Sequence, residues 1–283
     1  MPTPTGAGEL AVAAGTADGR TSRPPLRLAR IARAGLGLAL PVAFALAWEA
    51  AIRLGLITTH LLPPPSAVAV EIAKLIISGE IWQHLNATLS RVGAGFGFGV
   101  LAATLLGALT GYLPLAHRLL DPTVQALRNI PSIAWVPLFI LWLGIFETSK
   151  VTLIAVGVFF PVYMSLASGF ASVDRKLVEV GRVYRLSGPA MIRRILLPAT
   201  LPTYLIGLRS GLGLGWMFVV AAELMGASEG LGYLMIDGQM TGRPAAILAA
   251  LVLFAVLGKA SDLLLVGLTR PLVSWQDGFR HER

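Results

Sequence analysis

The side chains best placed to do work in this sequence lie between Asp174 and Pro198, and their spacing suits reversible docking better than bond-making. Leu177, Val180 and Tyr184 recur on one helical face, while Arg175, Glu179 and Arg182 fall on the other at spacings that allow ion pairs. Ser187-Gly188-Pro189 ends that helix and begins a second, with Pro189 in its first turn and Ile192, Ile195 and Leu196 as its apolar face. A charged, amphipathic two-helix elbow between two long apolar runs is built to meet a soluble partner.

Residues that could catalyse or bind metal do not converge. The histidines, His60, His84, His117 and His281, form no ligand pair, and the chain has no cysteine, so neither a metal site nor a thiol nucleophile is expected. Gly144-Ile-Phe-Glu-Thr-Ser-Lys150 has the wrong spacing for a phosphate loop, and no Gly-x-Ser-x-Gly elbow occurs. We therefore expect no catalytic residue, no cofactor and no nucleotide site on this chain.

Ionisable residues inside apolar runs mark pathways or structural pairs. Glu49 and Arg53 stand four apart and Lys259 and Asp262 three apart, so each reads first as a local ion pair. Arg91 and Arg209 are expected to extend to opposite interfaces. Glu223 has no cation near it in sequence and is the candidate contact on a pathway or gate.

The elements that must position these residues are membrane spans. With 55% apolar and 13% charged residues, the 283-residue chain has the composition of a polytopic membrane protein. Apolar runs place spans near 35–57, 89–113, 151–172, 203–225 and 244–267, with a shorter sixth at 132–146 that Pro131 and Pro137 should kink or break. The expected fold is all-α, with about six transmembrane helices over 35–267, a basic disordered tail at 1–34 and a second tail at 268–283. Lys and Arg number 16 on the side holding both tails and the 174–200 insert, and 3 on the other, which puts both termini and the insert in the cytoplasm. Because the +8 net charge falls in separate loops, it does not make a nucleic-acid face. Glycines four apart, at Gly93/Gly97, Gly95/Gly99, Gly107/Gly111 and Gly207/Gly211/Gly215, predict close helix packing within one bundle. Outside, Leu62-Pro63-Pro64-Pro65-Ser66 precedes a surface helix at 67–78.

The insert resembles the cytoplasmic motif of binding-protein-dependent ABC importer permeases, which runs Glu-Ala-Ala, a Gly four residues on, then Ile-x-Leu-Pro. Glu179, Ile195, Leu197 and Pro198 match; Val180 and Gly181 replace the alanines, and Arg185 stands at the usual Gly. If that Gly serves a positive φ, the turn is expected to shift to Gly188. Leu119 to Pro131, Pro137 to Gly144, Asp174 to Glu179, Ala222-Glu223 and Gly230 to Leu234 are similar to the nitrate/sulfonate/taurine branch, and most to alkanesulfonate permeases. The resemblance implies a type I importer fold in a bacterial inner membrane, two copies of this chain, two copies of a separate ABC ATPase, and a periplasmic or lipid-anchored substrate-binding protein. Within it, Glu179 and Gly181 would sit in the ATPase seat, and Arg182 and Arg185 would meet acidic or polar ATPase groups. The implied cargo is a small oxyanion, aliphatic sulfonates first, with taurine, nitrate or a heterocyclic nutrient as alternatives. A secondary carrier working without ATP would instead show paired broken spans, for which the sequence offers no sign.

Overall fold

The computed structural model describes residues 26–57 and 62–273, with side chains from residue 39 onward. Helices make up every regular element among the described residues. The first, α1 (Leu26–Arg53), begins inside the stretch expected as a tail; residues 1–25 and 274–283 lie outside the described residues. Then follow α2 (Pro65–Ser78), α3 (Glu80–Tyr112), α4 (Pro114–Arg128), α5 (Val136–Leu143) and α6 (Glu147–Ala171). The insert contributes α7 (Arg175–Val183) and α8 (Gly188–Met191), and α9 (Leu197–Leu224), α10 (Leu231–Met240) and α11 (Pro244–Thr269) complete the chain.

Four helical stretches are long and apolar enough to cross a bilayer: α3, α6, Gly188–Leu224 and Pro244–Val273. α4 and the segment Ser132–Leu143 are together apolar enough for a fifth crossing and meet at 93°, the shape of a broken span or a re-entrant loop. Pro131 precedes a single tight turn, Ser132–Trp135, and Pro137 lies in the first turn of α5. Each ring removes a donor and clashes with helix upstream, so the bend falls where the proline positions put it. Together with α1, whose 28 residues could span about 42 Å, these account for the expected six. Only the role of 114–131 changes. Instead of a free cytoplasmic loop it is an amphipathic helix packed on the bundle, with Val124 in the main core and Asp121 accepting from the Tyr163 hydroxyl at 2.9 Å.

At the centre runs α6, whose Ile154, Val158, Val162, Tyr163 and Leu166 are wholly buried. The glycine spacing explains how α3 and α9 close on it. A Cβ at Gly95 would lie 2.5 Å from the Ile154 Cβ, one at Gly99 would lie 2.6 Å from the Ala155 carbonyl oxygen, and one at Gly211 would lie 2.9 Å from Val162 Cγ2. Ala103, also fully buried, continues the α3 row towards Gly107. Lipid gives two helices no hydrophobic reason to associate, so van der Waals contact at this range holds them together. Gly93 and Gly97 face open space and take no part in that packing.

At the end of the bundle away from the 174–200 insert, Gly79 in the left-handed conformation (φ 81°) ends α2 and lets α3 start at once. Ser66 donates to Glu49 through its backbone N–H at 3.1 Å and its hydroxyl at 2.9 Å, which fastens the start of α2 to the end of α1. Glu49 also holds Arg53 at 2.7 Å, the local pair expected from their spacing.

The glycine row makes a paired prediction. Gly99→Val should destabilise the purified permease by about 1–3 kcal/mol through overpacking, whereas Gly97→Val, pointing into open space, should leave its thermal unfolding temperature unchanged.

Candidate functional site

The elbow starts at α7, where the Asp174 carboxylate caps the helix by accepting from the Lys176 N–H at 2.9 Å. Arg175 and Glu179 pair at 3.3 Å, both largely exposed. The helix ends in two reverse bonds: Leu186 N–H donates to the Gly181 carbonyl at 3.1 Å and Arg185 N–H to the Arg182 carbonyl at 2.9 Å. This is the Schellman arrangement, which requires a left-handed residue just past the helix. Arg185 is that residue, at φ 51°, and no other non-glycine among the described residues has a positive φ. The turn therefore stays where the family keeps it and does not shift to Gly188. Gly188 serves close approach instead, since a Cβ there would come 3.0 Å from the Tyr112 ring at the inner end of α3.

Gly181 also departs from expectation. It is buried, and a Cβ on it would lie 2.6 Å from both Ile195 Cδ1 and Met191 Sδ. Its smallness lets α7 lie against the second arm of the elbow, so it faces the scaffold and is not itself part of an exposed seat. Glu179, Arg182 and Arg185 remain exposed, as do Leu177 (46%), Val180 (50%), Val183 (80%) and Tyr184 (76%). The outward face of α7 is thus apolar in its middle and charged at its edges.

The second arm does not stop before the span. After α8 the backbone widens into a π-helical turn at Ile192–Leu196 and continues directly as α9, making one helix of 37 residues from Gly188 to Leu224. Pro198 explains the widening: it offers no N–H, and its ring crowds the Arg194 carbonyl one turn back. Ile195 and Leu197 join Leu166, Phe170, Met191 and Leu196 in an inner core that binds the elbow to α6.

A second polar group, at the opposite end of the bundle, escaped sequence reasoning. Arg91 is 3% exposed and Glu223 0%. Arg91 forks onto Glu147, Nε to Oε2 at 2.6 Å and Nη2 to Oε1 at 2.9 Å, while Nη1 donates to Glu223 Oε1 at 2.8 Å and to the Glu229 carbonyl at 2.7 Å. Thr88 donates to Glu223 Oε1 at 2.8 Å, Gly232 N–H to Oε2 at 2.7 Å, and Lys150 to Glu147 at 2.9 Å. Four charges cancel, and α3, α6, α9 and α10 are tied at one point. Gly230 (φ 120°) and Gly232 let the chain wrap Glu223, whose carboxyl carbon would be 2.5 Å from a Cβ at Gly230.

Arg91 therefore does not extend to the interface, and Glu223 lines no open path in this protomer, because each supplies the other's counter-charge. The sequence signals were a lone Arg in one span, a lone Glu in another, and a Gly-x-Gly after the second. Arg209 also pairs across helices, with Asp262 at 2.8 and 3.0 Å, and Lys259 is the more distant partner of Asp262 at 3.7 Å. The described residues bring no three His, Asp or Glu together as a metal site.

The described residues form an all-helical bundle in which four helices are long and apolar enough to cross a membrane, the architecture of an integral membrane protein. Residues 95–272 match the family described as "Binding-protein-dependent transport system inner membrane component", and the chain belongs to it. It is 39% identical over 243 residues to SsuC of Bacillus subtilis (strain 168), covering 86% of this chain and 88% of that one. With SsuC of Escherichia coli (strain K12) it shares 37% identity over 240 residues, 85% of this chain and 91% of the relative. Both relatives are named for aliphatic sulfonates transport. TauC of E. coli (strain K12), named for taurine transport, is 34% identical over 233 residues, 81% of this chain and 85% of its own. Among solved structures, an inward-facing MetNI methionine ABC transporter aligns with a TM-score of 0.58 at 19% identity, over 68% of this chain and 97% of that chain. At that identity the likeness is one of fold, and it agrees with the type I importer architecture expected from the sequence.

Two outcomes follow. Arg185→Gly should raise stability by about 1 kcal/mol by removing the left-handed Cβ strain, read as a higher unfolding temperature of the purified protein. Glu223→Ala should lower stability by about 3–5 kcal/mol because it leaves Arg91 buried without its inner partner, read as lost monodisperse yield or a lowered unfolding temperature.

Proposed function

We propose that this chain is the membrane-spanning subunit of an ATP-driven importer for small oxyanions, aliphatic sulfonates first, received from a substrate-binding protein on the outer face. Two copies enclose the path, and each elbow seats in one of two separate ABC ATPase subunits on the cytoplasmic side, where both termini also lie. The relatives named for sulfonate and taurine transport support this cargo class; nitrate or a heterocyclic nutrient is the alternative within the same family.

One observation carries the reading: Leu177, Val180, Val183 and Tyr184 lie exposed on a short helix that is held rigidly to a span. Exposed apolar side chains rimmed by charge are the anatomy of a protein interface. The seat consists of this face with Glu179, Arg182 and Arg185 at its edge, while Gly181, Gly188, Ile195, Leu197 and Pro198 fix its attitude to the bundle. Closing of an ATPase pair on ATP would draw two such elbows together, and the unbroken helix from Gly188 to Leu224 would carry that movement into the bilayer. Hydrolysis would reset it.

The test alters the exposed face and spares the packing. Val180→Asp should reduce transport-coupled ATP hydrolysis in the reconstituted complex by about tenfold or more, the scale of losing a central apolar contact, with membrane insertion and unfolding temperature unchanged. Wild-type coupling in that variant removes α7 from the seat.

A further inference from the structure

Three ionisable side chains stand on the outside of the protomer at a depth where hydrocarbon would otherwise surround them. Arg209 of α9 forks onto Asp262 of α11, and Lys259, one turn away, approaches the same carboxylate. Their side chains are 53%, 25% and 68% exposed, respectively, for Arg209, Asp262 and Lys259. Arg209 lies about 21 Å of helix inward from Glu223, and Asp262 lies about 12 Å short of Arg270. A charged group at that depth is excluded from lipid and faces protein or a water-filled cavity.

The trio borders a shallow, open depression in the surface lined by Ile206, Arg209, Ser210 and Asp262. Two cations share one carboxylate, so the group keeps a net positive charge. Arg91 spends all three guanidinium nitrogens on acceptors, whereas Arg209 Nη1 has no hydrogen-bond acceptor among the described residues. Arg209 therefore retains donor capacity at the edge of that depression, and it rides on the same continuous helix as the elbow.

We propose that Arg209, Lys259 and Asp262 form an anion-exchange station on the translocation path, taking the sulfonate or carboxylate class of oxyanion. Asp262 holds the guanidinium fork when the path is empty. An arriving oxyanion takes its place on Arg209, with Lys259 as second cation, because the fork that fits a carboxylate also fits a tetrahedral oxyanion. Return of Asp262 then displaces the anion, so the site binds weakly enough to release its cargo. This rests on the importer reading above and assigns its path to the exposed stripe of α9 bearing Ile206, Arg209, Ser210 and Met217.

The chain has no cysteine, so Ser210→Cys places a single reporter in it beside the station. The variant is reconstituted in liposomes with its ATPase and binding protein and exposed to a charged, membrane-impermeant methanethiosulfonate, with modification followed by the mass of this chain. Modification that slows while ethanesulfonate is being transported is expected. Absence of modification means lipid or the second copy covers the site and overturns the proposal, as does modification that a transported sulfonate leaves unchanged. Arg209→Gln should reduce uptake at subsaturating ethanesulfonate about tenfold, the scale of a hydrogen bond to a charged group, with Arg209→Lys recovering part of it. Asp262→Asn should slow turnover without raising the half-saturating concentration. Wild-type uptake in Arg209→Gln overturns the proposal. Should the unaltered complex take up none of ethanesulfonate, taurine or nitrate, the cargo reading fails instead, and thiol modification still decides whether Ser210 faces water.

Discussion

Hydrocarbon solvates neither a peptide group nor a charge, and the arrangement of this chain follows from where it meets that constraint. Backbone groups are satisfied within helices, and where prolines bend the chain between α4 and α5, the flanking Val124, Val136 and Phe139 pack into the main core. Charge is the harder case. At the end of the bundle away from the 174–200 insert, Arg91 is neutralised by Glu147 and Glu223 and is bonded at every nitrogen, so a group that lipid would reject becomes the knot joining four helices. A buried ion pair of this kind adds less to stability than its Coulomb energy suggests, because both charges lost water to make it. Its larger effect shows when one partner is removed, because the other charge is then left buried without compensation.

The rest of the bundle is assembled by contact at short range. Gly95 and Gly99 on one side of α6, and Gly207 and Gly211 on the other, bring three backbones close enough for dispersion to hold them where the hydrophobic effect cannot. A stiff three-helix block has a mechanical consequence. The second arm of the elbow is joined to it by Gly188 against Tyr112 and by the inner core around Leu166 and Met191, and it continues directly into α9. The route from α7 to the span passes the left-handed turn at Arg185, the π turn at 192–196 just before Pro198, and Pro202 inside α9.

Arg185 shows how a motif can depart in residue type and keep its geometry. The Schellman bonds from Leu186 and Arg185 close the helix whatever side chain occupies the left-handed position, and Arg accepts the Cβ strain that a glycine would avoid. Sequence reasoning located the strain correctly but assumed that the backbone would move to relieve it. Reverse hydrogen bonds at a helix end outweigh a steric penalty of about 1–2 kcal/mol.

Much of this protein was legible in one dimension. Apolar run length fixes the spans because bilayer thickness fixes helix length, glycine spacing marks close packing, and the periodicity of 174–200 marks an amphipathic elbow. Those signals are local, and each depends on solvent or on neighbours within a turn or two. Partnership between distant residues is not local. Arg91 with Glu223, Arg209 with Asp262, and Gly181 with Met191 each join residues that the sequence lists apart, so their roles were misassigned to interfaces, a pathway and a seat. Only the folded bundle decided them, because pairing a charge or filling a gap depends on which side chain stands opposite, and that is set when α3 and α9 close on α6.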